Sequence, residues 1–274
     1  MKNTLLANGR RIAYSVSGDA GHTVPLVLLH GFCEDASLWF PLLPRLRGIR
    51  VVRIDLPGFG GSQPPLTPGM AIYADAVCAV LNELGLDRCV LAGHSMGGYA
   101  ALEFGRRHPE RLAGLGLVHS HPFEDTTERR ENRQRGIDMV QSQKKNLYVA
   151  QLFPGLFAPV FAQDHPEVVQ ALIRNGRRQP VAGIVAALKS MMDRTDHTGT
   201  LRAIPCPVLF LLGEQDTIVP SRQALTAAAL PGVADLHLLP GVGHMGMFEA
   251  PERTAEILSD FWSFCTRKYP SAKA

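Results

Sequence analysis

A hydroxyl, a proton acceptor and a carboxylate can together break an acyl bond, and this chain offers candidates for each. The pentapeptide Gly93-His94-Ser95-Met96-Gly97 sets a serine midway between two glycines. It follows the apolar run Cys89–Ala92 and precedes the helix-like Gly98, Ala100, Ala101 and Leu102. Alone the pattern is weak, because glycine is frequent here, 26 of 274 residues. The strand–turn–helix context strengthens it. A serine on a tight, strained turn projects its hydroxyl, and small neighbours let strand and helix pass closely. The helix start beneath it would offer backbone N–H groups to a developing negative charge.

Near neutral pH a serine needs a base, and ten histidines compete for that role. His30 and His94 lie in turn motifs and read as orienting backbone. His22, His165 and His197 sit in polar stretches and read as surface residues. His119 and His121 follow an apolar run but have no carboxylate immediately paired with them. His244 lies in Gly241-Val242-Gly243-His244, after the last apolar run. Glu214 and Asp216 follow the run Val208–Leu212, while Glu124 and Asp125 come after His121. Spacing alone leaves these alternatives open.

The elements that must position these residues are legible as alternating patterns. Asn3–Ala7 and Arg11–Ser17 flank Asn8-Gly9, which predicts a hairpin with a type I′ turn. Apolar runs follow at Leu26–Leu29, Val51–Ile54, Cys89–Ala92, Leu115–Val118, Val208–Leu212 and Leu236–Leu239. Helical periodicity occupies Met70–Leu84, Gly97–Arg107 and Pro251–Phe264. Continuous apolar strands alternating with helices predict an α/β fold with a mainly parallel sheet and an antiparallel hairpin at one edge. Between Val118 and Val208 the rhythm breaks. Charged residues dominate Glu124–Lys145, an aromatic-rich patch follows, and a helix-like block runs over about 168–192. That stretch is too long for a loop and predicts an all-helical insertion over one end of the sheet.

Composition narrows the function classes. Lys+Arg 28 against Asp+Glu 25 gives only +3, and the arginine pairs are scattered, so no nucleic-acid footprint is present. No apolar run reaches the roughly 18 residues of a membrane span. Met1–Leu6 lacks the apolar stretch of a signal peptide, and the five cysteines form no CxxC pair, which together predict a cytoplasmic protein with reduced thiols. No GxGxxG opens the first parallel unit, and neither a P-loop nor HExxH occurs, so no cofactor and no metal are expected. Oligomeric state is not legible.

Taken together, the chain resembles the α/β-hydrolase family with a helical cap. The resemblance rests on His30-Gly31-Phe32, Asp55-Leu56-Pro57-Gly58-Phe59-Gly60-Gly61-Ser62 and the Ser95 turn. It also rests on His108-Pro109-Glu110-Arg111, on Gly213-Glu214-Gln215-Asp216, and on Gly243-His244 with Glu249, Pro251 and Glu252 behind it. It covers essentially the whole chain. It implies an eight-stranded, mainly parallel sheet with helices on both faces. The core would span residues 1–120 and 201–274, with the cap over 121–200. It further implies Ser95 as nucleophile, His244 as base and Asp216 as the acid, in family order. The backbone N–H groups of Phe32 and Met96 would form the oxyanion hole.

The implied activity is a serine esterase acting on a small or medium carboxylic ester, lactone or thioester. A serine nucleophile argues against the branches that use Asp there for alkyl-ester chemistry. C–C bond hydrolysis of a dienone-type substrate uses the same residues, but usually adds a pocket Arg and a Trp near the histidine; here Met245-Gly246-Met247-Phe248 follow His244. A perhydrolase or acyltransferase would differ only in acyl acceptor, and a ligand sensor would keep the pocket without turnover. The aromatic and aliphatic patch of the insertion, Phe123, Phe153, Leu156 and Phe157 with Met191 and Met192 behind, predicts an apolar roof over a small-molecule substrate, with the three phenylalanines as substrate-binding residues.

Overall fold

The computed structural model describes residues 2–19 and 21–267. Eight strands form one sheet: β1 Asn3–Ala7, β2 Arg10–Ser17, β3 Leu26–Leu29, β4 Val51–Ile54, β5 Cys89–His94, β6 Leu112–Val118, β7 Val208–Gly213 and β8 Ala234–Leu239. Their spatial order is β1-β2-β4-β3-β5-β6-β7-β8. Pairings from β4 through β3 to β8 are parallel, while β1–β2 and β2–β4 are antiparallel. Asn8 and Gly9 both take positive φ, 50° and 71°, as a type I′ turn demands. Strands β3, β4, β5, β6 and β7 are buried along their whole length, which is why they read as unbroken apolar runs.

Helices α1 Met70–Glu83 and α2 Met96–Arg107 pack together on one face. The last helix and the 3₁₀ segment Ala36–Arg45 cover the other. That segment carries Pro41 and Pro44, and its missing N–H groups explain why no α-helix forms there. Between β6 and β7 the chain is helical throughout its regular elements. These are α3 Thr127–Met139, α4 Lys145–Leu152, α5 Pro159–Asp164, α6 Pro166–Arg178, α7 Val181–Met192 and α8 Thr198–Ala203. The expected single block from 168 to 192 is thus two helices. Pro180 separates them, because a proline disfavours helical backbone at the residue before it. After β7 come α9 Ser221–Ala228, the short α10 Gly246–Glu249, and α11 Pro251–Arg267.

The insertion is seated on the core through backbone. A Cβ on Gly183 of α7 would stand 2.0 Å from the carbonyl oxygen of Gly58, so two main chains touch where no side chain fits. Nearby, Ser190 Oγ accepts from the Gly69 N–H at 2.7 Å and Gln179 Oε1 accepts from Gly60 N–H at 2.9 Å. Gly183→Ala is expected to force these elements apart. Overpacking of this kind costs about 1–3 kcal/mol, more than the roughly 1 kcal/mol of helix propensity that alanine restores. A lower urea midpoint would bear this out; an unchanged or raised midpoint would show that the contact yields freely.

Candidate active site

The reactive residues gather at the carboxyl ends of the parallel strands, as expected for an open α/β sheet. Phe32 follows β3, Ser95 follows β5, His119 follows β6, Asp216 follows β7 and His244 follows β8. Ser95 occupies φ 50°, ψ −113°, a conformation that L-residues avoid and that here ends β5 and starts α2 abruptly. The turn closes because its neighbours have no side chains. A Cβ on Gly93 would stand 2.1 Å from the Gly97 carbonyl oxygen, and one on Gly97 would stand 2.6 Å from that of Leu29. The second contact, and one of 2.7 Å to the His30 carbonyl oxygen, bring the start of α2 against the end of β3 and its loop. Cys33 and His119 also carry positive φ, 61° and 47°, which places three strained non-glycine residues in the loops around one site.

Asp216 is immobilised by its own loop. Its Oδ1 accepts the N–H groups of Ile218 and Val219, both at 2.8 Å, and its Oδ2 lies 2.8 Å from His244 Nδ1. Burial alone would raise this carboxyl, but the charge and hydrogen bond of His244, with His119 close beside it, outweigh it and hold the group well below the usual carboxylate range. A permanently ionised acceptor at Nδ1 keeps the proton there and leaves Nε2 of His244 bare. The backbone of His244 is pinned from both sides. Its N–H donates to the Leu156 carbonyl at 2.7 Å, and its carbonyl accepts from His94 Nε2 at 2.9 Å. Glu249 fastens the same loop, taking the N–H groups of Gly243, Ala158 and Met245 at 2.9, 2.9 and 3.0 Å.

His94 and Glu34 make a second buried pair. Glu34 Oε2 accepts from Gly31 N–H at 2.6 Å and lies 3.1 Å from His94 Nδ1. Both ring nitrogens of His94 therefore face oxygens that only accept, and the ring must carry two protons to satisfy both. Burial opposes that charge, and the Glu34 carboxylate overcomes it, raising the His94 pKa. His30 works differently: Nε2 accepts from Leu56 N–H at 2.9 Å, so Nδ1 donates to the Gly31 carbonyl at 2.7 Å. Each histidine ties the β3 loop to another segment.

Several positions differ from the expectations above. His119 does have a carboxylate beside it, since its Nδ1 lies 3.3 Å from Asp216 Oδ2, though poorly aligned for a hydrogen bond. This neighbour comes from β7, nearly a hundred residues away, and no local spacing could reveal it. His197 is buried rather than superficial, 3.5 Å from Glu103. His119, Asp216 and His244 bring one potential metal-ligating atom each within 4.8 Å, but the hydrogen bond between His244 and Asp216 accounts for that proximity.

Ser95, His94, His244 and Phe32 open onto one cavity of about 380 Å³, at the small end of ligand sites. Its apolar wall comes from Tyr148, Leu152, Leu156, Leu188 and Met191 of the insertion. The three phenylalanines expected there do not line it. Phe153 is wholly buried and packs against Gly176, Phe157 stacks on Phe161 at 5.4 Å, and Phe123 stacks on His121 at 5.8 Å. They anchor the insertion, and the leucines immediately before Phe153 and Phe157 line the cavity. The wall also carries Arg129, Asn132 and Arg133, from the charge-dominated stretch Glu124–Lys145.

The buried histidines predict an acid-side loss of stability. Burial, reinforced for His121 by Arg194 and Arg129, pushes His119 down to about 4 and His121 to about 3. Both stay neutral in the folded chain while the unfolded chain takes up protons below about pH 6.5. Stability should therefore fall as pH drops from 6.5 toward 4, by up to about 1.4 kcal/mol per pH unit for each histidine. His94 has the opposite sign: its contribution is complete below pH 6.5 and is lost as pH rises through its elevated value. Urea midpoints at pH 4.5, 5.5 and 7 for the native chain and His121→Asn measure this. The variant should give the flatter profile; equal slopes would contradict the neutral-histidine assignment.

The comparisons with known proteins follow this geometry. Residues 26–257 match the profile of the Alpha/beta hydrolase family. A thermophilic esterase from Thermogutta terrifontis, solved with malate bound, is 30% identical with a TM-score of 0.90, over 97% of this chain and 99% of that one. The 2-hydroxymuconate semialdehyde hydrolase of Pseudomonas sp. (strain CF600) is 28% identical over 256 residues, 89% of this chain and 88% of that protein. The biotin biosynthesis bifunctional protein BioHC of Cellvibrio japonicus is 28% identical over 249 residues; the match covers 86% of this chain but only 47%, about half, of that longer protein. Among the described residues, no helix is long and apolar enough to cross a membrane. The chain belongs to the alpha/beta hydrolase family.

Proposed function

We propose that this protein hydrolyses small carboxylic esters through an acyl-serine formed on Ser95. The observation that carries the reading is the His244 Nδ1–Asp216 Oδ2 contact at 2.8 Å, made at the edge of the cavity onto which Ser95 opens. Ser95 Oγ attacks the acyl carbon while its proton passes to His244 Nε2. The carbonyl oxygen becomes an oxyanion, taken up by the N–H groups of Phe32 and Met96. Collapse breaks the bond to the alcohol oxygen, which leaves with the proton from His244. Water then repeats the sequence on the acyl-serine, releasing the acid and restoring Ser95. The insertion over about 121–200 acts as a cap that shapes the acyl and alcohol pockets.

Ester cleavage is preferred to C–C cleavage because, although the cavity wall carries arginines, neither tryptophan is at the site. Trp39 and Trp262 are both buried in the core and absent from the cavity wall. None of the five thiols competes as nucleophile. Cys33, the one beside the oxyanion loop, is buried, and that burial pushes its pKa well above the ordinary thiol value, away from the reactive thiolate.

A fluorophosphonate should label the protein once, at Ser95, and Ser95→Ala should take no label. Ser95→Ala and His244→Ala are each expected to lower kcat on p-nitrophenyl butyrate by at least three orders of magnitude, with the double variant little worse. Labelling at another residue, or additive losses in the double variant, would overturn the assignment.

A further inference from the structure

The cavity holds more positive charge than acyl transfer requires. Arg129 and Arg133 of α3 stand on its wall beside Asn132. Arg133 is matched to Asp125, donating to both carboxylate oxygens through Nε and Nη2, and its Nη1 reaches Met191 Sδ at 3.3 Å. The same carboxylate also serves Arg194, whose Nη1 lies 2.7 Å from Asp125 Oδ1. Arg194 in turn sits 4.0 Å over the ring of Tyr99, another wall residue. One carboxylate thus answers two guanidinium groups before Arg129 is counted.

Arg129 has no carboxylate partner among the described residues. Its Nη1 meets His121 Nε2 at 3.1 Å and its Nη2 donates to the Ile218 carbonyl at 2.7 Å. Of the five N–H donors of a guanidinium, these contacts engage no more than two, and the side chain lines the cavity. His121 is held neutral by burial and by Arg194, Arg129 and Arg133 around it, so it brings no charge to answer Arg129. The Glu34 carboxylate, also on the wall, is already matched by His94. A cavity wall carrying one guanidinium without a carboxylate partner, beside a second that shares its carboxylate with Arg194, favours an anionic occupant, and a planar fork suits a carboxylate.

We infer that the substrate is an ester carrying a second, free carboxylate, which Arg129 holds with Asn132 and Arg133 while Ser95 attacks the ester carbonyl. This inference rests on the acyl-serine reading of the same cavity. The free carboxylate could belong to the acyl part or to the alcohol part, and the two are separable by choice of substrate. The competing account is that Arg129 only props the loop after β7 through the Ile218 carbonyl.

Paired esters test it. Monoethyl adipate against ethyl hexanoate places the anion on the acyl side; 4-carboxyphenyl butyrate against 4-methylphenyl butyrate places it on the alcohol side. In at least one pair, kcat/KM should favour the anionic ester tenfold or more. Arg129→Met should pull that ratio toward one, chiefly through KM, and Arg129→Lys should recover part of it. A ratio near one in both native pairs, or a ratio that Arg129→Met leaves unchanged, overturns the anion site while acyl-serine chemistry stands. Binding provides a readout free of turnover. Adipate should raise the melting temperature of Ser95→Ala more than adipamide does, and the difference should vanish when Arg129→Met is added. Should no ester turn over yet adipate stabilise Ser95→Ala through Arg129, the anion site stands and the ester reading fails. Absence of any adipate effect overturns the anion site.

Discussion

An imidazole that is to take a proton from a serine must keep one nitrogen bare and its ring fixed. Asp216 gives the surroundings of His244 the means to hold it so. Two backbone N–H groups saturate one carboxylate oxygen, so the other is free to fix the proton on Nδ1. A carboxylate less tightly held could turn, and the ring would turn with it. The backbone contacts to Leu156 and His94 then stop the loop itself from moving. One of these anchors belongs to the insertion and the other to the strand that presents Ser95. His244 is therefore located by the two bodies whose meeting defines the cavity.

The same device recurs at the other buried acids. Asp55 accepts from the N–H groups of Ala36 and Gly61 at 2.8 Å each, and its own carbonyl takes the Ser62 hydroxyl. Glu34 holds the Gly31 N–H, and Glu249 holds three N–H groups spread over the His244 loop and the insertion. Loop backbone that is removed from water must find acceptors, and a carboxylate supplies several at once. The acids quoted in the family-like motifs, Asp55 and Glu249, act on backbone in this way rather than on substrate. Stability and positioning thus share residues, and replacing either acid would leave buried N–H groups without partners.

How much was legible follows from the range of the forces. Strands β3 to β7 announce themselves because both faces are covered, and helices α1, α2 and α11 because one face is. Ala36–Arg45 escaped, since two prolines erase the helical pattern while the segment still packs. Strand β8 reads partly exposed, with Leu236 and Leu238 turned outward, so its apolar residues mark the chain direction but not the core. The expected roof is right in part: Leu156 and Met191 reach the cavity together with Leu152, while Phe153 and Phe157 turn into the insertion. Leu152 ends α4, a 3₁₀ turn follows and Phe157 is extended, so no single helical period runs through this stretch to say which side chains face inward. Contacts such as Glu34 to His94 and His119 to Asp216 join elements far apart in sequence, and only the sheet order brings them together.

The charged run at the start of the insertion is the instructive case. On a helix with polar residues nearly all round, Arg129, Asn132 and Arg133 look like ordinary solvated positions. Spacing of three and four puts them on one stripe, and α3 lies with that stripe toward the cavity mouth. Burying Asp125 beneath it, shared by Arg133 and Arg194, ties the helix down without discharging it. An ion pair matched one to one would have sealed the wall electrically and left an apolar pocket. Two guanidinium groups on one carboxylate, with Arg129 added, leave the insertion with a net positive inner surface over a core whose own acids are spoken for. The insertion meets the His244 loop through the Leu156 carbonyl and the Ala158 N–H that Glu249 holds, and it meets the Asp216 loop through Arg129 on the Ile218 carbonyl, so the charged stripe is fixed relative to both loops.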